Sequence, residues 1–367
     1  MKVKAIHLGM DRYSGLYIAV VLVALFGFWI PNLFLTSSTL HTIADGQPVT
    51  VLLGLAALVP LIGGNFDLSI GATANFTGIL AIVVQDNHHW NVGFAIGLAL
   101  VSAAVIGLVN GFLIVVLHVN SFIATLGMGT VLAAMLDIVT ANSQPLSPAS
   151  GVWNSLATHQ IGGFEIYVGY ALVVATVCWW LLEHTPYGRY MYAIGSNREA
   201  SRLAGVRVSK WEWMSMVIAS VLSGIAGVLY CSANGPSLTF GTSLLLPAFA
   251  ACFLGATQLK PGHFNVWGSV IAVYVLAIGV DGLQLLTGQE WINQLFDGIA
   301  LVAAVSFAVW RQRNVKRRGA RLSTEAVSGA VQGDAGRTAE REGLGDSPVL
   351  AHEVDGEGGR VSGNDGE

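Results

Sequence analysis

The chain has 367 residues, of which 53% are hydrophobic and only 11% charged. A soluble globular domain carries about 25% charged residues, so these values exclude that class. A mean hydropathy of +0.62 and 44 glycines point instead to an all-α polytopic membrane protein whose helices approach closely in lipid. The formal net charge of −4 comes mostly from the C-terminal tail, and no nucleic-acid partner is expected.

Residues 1–12 form a short segment with Lys2, Lys4 and Arg12. The first apolar run is long and lacks a small-residue cleavage site, so it reads as a span and not as a signal peptide. Apolar runs follow at 13–31, 48–63, 70–85, 91–117, 121–140, 166–182, 213–231, 243–258, 266–286 and 291–310. A crossing helix needs about 20 residues for ~30 Å of hydrocarbon, so the second, third and eighth runs are short. About ten transmembrane helices are expected. With the N-terminus cytoplasmic, alternation puts all 18 Lys and Arg residues on the cytoplasmic side, including those after residue 310. The loops near 32–47, 86–90, 141–165, 232–242 and 287–290 carry none. Nine of the ten tryptophans fall at run ends, where amphipathic rings prefer the membrane interface; Trp153 alone lies in a longer loop.

The membrane-embedded block 13–310 is interrupted by one charged stretch, 183–212. Pro186 ends the preceding span. Ser196 and Glu199 have the form of a capping box, and Gly205 suits the position just past a helix end. A helix of about two turns is therefore expected over 196–205. Ala200, Leu203 and Ala204 share one face of it, and Arg198 and Arg202 share another. Such a helix is marginal alone, which leaves two readings: an ordinary basic loop, or a docking helix for a cytoplasmic partner. After residue 310, the basic run from Arg311 to Arg318 reads as a stop-transfer anchor that touches anionic membrane lipid. The Gly-, Ser- and acid-rich tail to residue 367 reads as a disordered cytoplasmic segment.

Several polar residues sit within apolar surroundings. Asp67 lies between two short runs, where it caps the following helix, gates a path, or holds a proton or ion. Asn110 and Asn120 flank the cytoplasmic end of the fourth run and read as interhelical glue or as path lining. Asp137, Asp281 and Asp297 lie in or near spans, with Asp297 the deepest. Cys178, Cys231 and Cys252 show no CxxC spacing and read as small core side chains. Asp86, His88 and His89 lack a further fixed ligand, so no metal site is expected. There is no GxxxxGK[ST] phosphate loop, no HExxH and no nucleophile–base pattern, so the chain is not expected to be an enzyme. "IGLVNG" (106–111) and "IGVDG" (278–282) echo one another on oppositely directed runs, as in inverted repeats.

Four stretches together resemble the ribose/xylose/galactose-type permease subunits of bacterial ABC importers. "GGNFDLSIGA" (63–72) is similar to the family's G-G-x-D-L-S-V-G-A, with two residues, Asn65 and Phe66, where one is usual. "GLVNGFLIVVLHVNSFIATLGM" (107–128) is similar to G-x-x-N-G-x-L … P-x-F-I-x-T-L-G-T, with Asn120 in place of the proline. "TPYGRYMYAIGSNREASRLAGVRVSK" (185–210) resembles the cytoplasmic loop with its T-x-x-G-R and A-I-G-x-N. "ACFLGATQLKPGHFNVWGSV" (251–270) resembles a later G-rich motif. The resemblance covers about residues 13–310. It implies a multi-pass protein of the bacterial cytoplasmic (inner) membrane with both termini cytoplasmic. It implies an ABC ATPase subunit that carries ATP and Mg, no cofactor on this chain, an extracytoplasmic solute-binding protein, and a second permease subunit in a homo- or heterodimer. It also implies that Gly195, Asn197, Arg198, Glu199, Ala200, Leu203 and Gly205 couple to the ATPase. Asn65, Asp67, Ser69, Asn110, Asn120 and Thr125 are the expected gating or path residues. The solute would be a sugar or sugar-like molecule. An ion-coupled secondary transporter and a branched-chain amino-acid or nucleoside ABC permease are the alternatives.

Overall fold

The computed structural model describes residues 13–306 except 89, 149 and 290. The segment 1–12, the basic run and tail 311–367, Trp310 and His89 lie outside the described residues. The protein is built from helices, with one two-residue hairpin. Each of the ten apolar runs contains helix. Helix α1 spans Ser14–Trp29, α2 Pro31–Phe34, α3 Ser37–Gly46 and α4 Pro48–Ile62. α5 spans Ile70–His88, α6 Val92–Val115 and α7 Ser121–Thr140. A loop with α8 (Gly151–Thr158), β1 (Gln160–Ile161) and β2 (Phe164–Glu165) then leads to α9 (Ile166–His184). In the charged stretch lie α10 (Pro186–Ser196) and α11 (Arg198–Leu203), followed by α12 (Val208–Asn234). The remainder is α13 (Phe240–Ser243), α14 (Leu245–Gly255), α15 (Val266–Thr287) and α16 (Trp291–Ser306).

Six of these are long and apolar enough to cross a membrane: Ser37–Ile62, α6, α7, α9, α12 and α15. α1, the Phe240–Gly255 stretch and α16 are shorter apolar helices. The second span differs from the sequence expectation. It does not begin at residue 48: α3 and α4 form one 26-residue span, Ser37–Ile62, interrupted only at Gln47. Pro48 has no N–H to continue the ladder of α3, so the chain restarts there, with Pro48 at the first position of α4. α5 is 19 residues long, but Thr73, Asn75, Thr77 and Gln85 dilute its apolar character. All four are buried within the bundle.

Every residue of α4 is buried, so its uniformly apolar surface faces protein on all sides. α12 packs along α4, α5 and α6, and α14 packs between α4 and α15. Small residues permit these approaches, as the glycine content suggests. A Cβ on Gly227 of α12 would lie 2.1 Å from the carbonyl oxygen of Ala74 on α5. Trp153 is fully buried, and the Ser232 hydroxyl donates to its carbonyl at 2.7 Å, so this ring anchors the α8 loop to the bundle. Lys260 pairs with Glu183, and the Tyr192 hydroxyl donates to the Phe264 carbonyl at 2.7 Å. Lys260, the one Lys or Arg described outside 183–212, thereby joins that segment at one end of the bundle.

Candidate functional site

That same end is organised by the turn after α4. Gly64 takes φ +86°, and the chain then runs without regular secondary structure through Asn65–Asp67 toward α5. Backbone N–H groups of this turn reach a neighbouring helix. Those of Phe66 and Leu68 donate to Ser121 Oγ (3.1 Å) and Thr125 Oγ1 (3.0 Å) on the first turns of α7. Residues four apart share a helix face, so Ser121 and Thr125 match the two-residue spacing of the turn. Thr125 in turn donates to the Ser121 carbonyl at 2.8 Å.

Side chains from the other face of the turn run inward. Asp67, Ser69 and Asn110 are all fully buried. Asn110 Nδ2 on α6 donates to Ser69 Oγ at 2.8 Å, and Ser69 Oγ donates to Asp67 Oδ1 at 2.6 Å. The Ser69 N–H donates to the same carboxylate oxygen at 2.9 Å. Asp67 therefore closes the turn at the head of α5, close to the capping reading. Its second oxygen, Oδ2, is buried without a hydrogen bond, as is Asn110 Oδ1.

The charged stretch docks beside this turn. α10 buries Tyr187, Met191 and Ile194, and Trp211 stands against the rings of Tyr187 and Tyr190 at centroid distances of 5.9 and 5.2 Å. A Cβ on Gly195 would lie 1.9 Å from the carbonyl oxygen of Ile62, so the last turns of α10 and α4 touch backbone to backbone. Beyond it, α11 is shorter than expected and is capped one residue later. Asn197, not Ser196, is the N-cap, its Oδ1 accepting from the Ala200 N–H at 3.0 Å. Ser196 is the last residue of α10, where its hydroxyl donates to the Tyr192 carbonyl at 2.8 Å. The capping box therefore does not form, and Glu199 pairs with Arg202 at 2.8 Å. At the C-terminus, Gly205 has φ +83°. Its N–H donates to the Arg202 carbonyl and that of Val206 to the Ser201 carbonyl, both at 3.0 Å. This is the Schellman arrangement of a left-handed helix stop.

Only Ser201 of α11 is buried. Ala200 and Ala204 are exposed, and Leu203 is 79% exposed. The apolar face read from the sequence thus points away from the bundle. Arg198, on the face it shares with Arg202, reaches inward although its side chain is 58% exposed. Its Nη2 lies 2.8 Å from Oε2 of Glu212, a residue 1% exposed near the start of α12. The Asn65 side chain lies near the same carboxylate, with its Nδ2 buried and without a hydrogen bond.

Glu212 thus joins two residue groups that are far apart in sequence. The expected coupling residues Gly195, Asn197, Arg198, Glu199, Ala200, Leu203 and Gly205 sit on or beside α11. Asp67, Ser69 and Asn110 form the buried side-chain chain of the turn, Thr125 bonds to its backbone, and Asn65 Nδ2 is buried there without a hydrogen bond. Asn120 stands outside it, exposed, with Oδ1 capping α7 by accepting from the Phe122 N–H at 3.0 Å. Neither Glu212 nor Ser121 was singled out by sequence reasoning. An acid at the foot of an otherwise apolar span, beside a basic loop, is the signal that marks Glu212. Ser121 could be found only once the turn was seen to bond to α7.

The sequence pattern described as branched-chain amino acid transport system / permease component matches residues 41–305. The chain belongs to this permease family. The autoinducer 2 import system permease protein LsrC of Salmonella typhimurium is 27% identical over 318 residues, covering 84% of this chain and 90% of that protein. The ribose import permease protein RbsC of Escherichia coli K12 is 28% identical over 297 residues, covering 80% and 92%. No solved structure matches. The family match, 41–305, includes both the turn after α4 and the α10–α11 segment of this permease.

Proposed function

We propose that this permease is the membrane subunit of an ATP-driven importer of a sugar or sugar-like solute. It would cross the bacterial cytoplasmic membrane ten times, with both termini cytoplasmic. A separate ATPase subunit would carry ATP and Mg, an external binding protein would deliver the solute, and a second permease subunit would complete the path. The import-permease names of the relatives support the sugar reading, and the family description keeps a branched-chain amino acid as the second. The observation that carries the coupling mechanism is the two-sided construction of α11. Its outer face presents Ala200, Leu203 and Ala204 to solvent, while its inner side holds Glu212 through Arg198. An ATPase cleft that closes on the outer face would displace a helix stopped rigidly at both ends. The displacement would reach the turn at 63–69 through Glu212 and Asn65, and through the Gly195–Ile62 contact. No covalent step occurs on this chain; it would transmit movement.

The test is uptake into proteoliposomes holding the permease, its ATPase and the binding protein. Uptake should require ATP and continue when the proton gradient is collapsed. Uptake by the permease alone under an ion gradient would favour a secondary transporter, with the unpartnered oxygen of Asp67 as the natural ion site. Competition between ribose-like sugars and leucine for uptake separates the two solute classes.

A further inference from the structure

A cavity of about 350 Å³ lies at the opposite end of α4, bordered by α4, α13–α14, α15 and α16. Its Thr50 is twelve residues before Ile62, so the cavity is roughly 18 Å along the helix from the site described above. Its polar groups are unusual for an apolar bundle. Asp281 and Asp297 both line it, and among the described residues neither has an ion pair or hydrogen bond. Thr50 is only 5% exposed, and its hydroxyl also has no partner among the described residues. Asn293 approaches Gln284 Oε1 with its Nδ2 at 3.4 Å, which leaves its Oδ1 buried and unpartnered. Among the described residues no Lys, Arg or His lines the space.

Two carboxylates in such surroundings are costly unless something neutralises them. The two carboxylates and Asn293 Oδ1 are acceptors with no cationic side chain beside them among the described residues, so a ligand that fits is a donor and a cation. Size then selects its kind. An oxygen-bound metal ion needs ligands converging at about 2.0–2.6 Å, whereas a space of this volume falls in the ~300–1,000 Å³ range of small-molecule pockets. Gln47, Ser243 and Gln294 also line the space; the apolar part of its wall, with Leu244 and Leu276 among its residues, suits methylene groups. We propose that this cavity binds a short aliphatic diamine, with its two ammonium groups facing Asp281 and Asp297 and its methylene spacer on the apolar wall. Asn293 Oδ1 and the Thr50 hydroxyl accept the remaining N–H bonds. The site is separate from the coupling network and does not depend on which solute is transported.

The full-length permease in lipid nanodiscs should bind radiolabelled 1,4-diaminobutane saturably at one site per chain, measured by equilibrium dialysis near neutral pH. Asp281→Asn and Asp297→Asn keep side-chain shape and should each weaken binding at least about tenfold; together they should abolish it. Asp297→Glu, which keeps the charge, should retain binding within a few-fold. Equal concentrations of 1,4-butanediol or calcium chloride should not displace the label from the unaltered protein. Absence of saturable binding overturns the proposal. So does undiminished binding by the double variant, or displacement by the diol (a polyol pocket) or by calcium (a metal site). The displacement arms use only the unaltered chain, so they decide the matter even if a variant fails to fold.

Discussion

Gly195→Ala is the sharpest probe of the link between α10 and the turn after α4. The new Cβ would lie 1.9 Å from the Ile62 carbonyl oxygen, while ordinary contact begins at 3.4 Å, so the two backbones must separate by about 1.5 Å (3.4 − 1.9). Ile62 has little freedom to yield, because α4 is buried along its whole length. α10 must therefore retreat, and Met191 and Ile194, which are buried beneath it, lose part of their packing. Overpacking of this kind costs about 1–3 kcal/mol, and a coupling loss of that size is roughly 5- to 150-fold. We expect normal membrane levels, a lower Tm for the purified protein and ATP-driven uptake reduced within that range. Gly205→Ala is the control: a Cβ there meets nothing within 4 Å, and only φ +83° is strained, at about 1–2 kcal/mol. Gly195→Ala with unchanged Tm and unchanged uptake would show that the α10–α4 contact is not part of the working protein.

Arg198→Ala leaves the Glu212 carboxylate buried without its cation. Breaking a buried pair costs about 3–5 kcal/mol, and because the Arg198 side chain is 58% exposed, screening reduces the expectation to roughly 1–2 kcal/mol. Adding Glu212→Gln should restore most of the lost stability in a double-mutant cycle, and a double variant no better than Arg198→Ala would remove the pair from the mechanism. Ala200→Glu should leave membrane levels normal but deplete the ATPase from detergent pull-downs, since a charge buried in a partner cleft costs several kcal/mol; full recovery would mean that α11 is not the docking element. Asn110→Leu removes the donor to Ser69 Oγ inside the buried network and should destabilise the purified permease by about 1–3 kcal/mol, read as a lower Tm; an unchanged Tm would count against the network. Impermeant thiol reagents applied from outside should label cysteines placed at Val152 or Pro236 and miss one at Arg198, and external labelling at Arg198 would reverse the membrane orientation.

Much of the architecture was legible in the chain because helix-forming apolar runs announce themselves locally. The ten runs hold helices, the glycines mark close crossings, and Gly205 stops α11 as its position suggested. Local signals failed where two of them competed. Ser196 and Asn197 are both good N-caps, and the reach of α10 to Ser196 left the role to Asn197. The second span looked short because the polar residues of α3 hide its helix, and only the folded chain shows α3 and α4 joined across Gln47.

The candidate site divides in the same way. By itself the sequence singled out two candidate segments, the turn at 63–69 and the charged stretch at 183–212, since each breaks an otherwise apolar chain. It also determined the apolar face of α11, which follows from helical spacing alone. Only the tertiary structure decided that these segments meet, that Arg198 turns inward to a buried Glu212, and that Asn120 caps α7 outside the network. The physical reason lies in range. A cap or an amphipathic face is set by residues within a turn of one another, whereas the Arg198–Glu212 pair and the Asn110–Ser69–Asp67 chain exist only where packed helices remove water and leave each polar group the partners that the fold supplies.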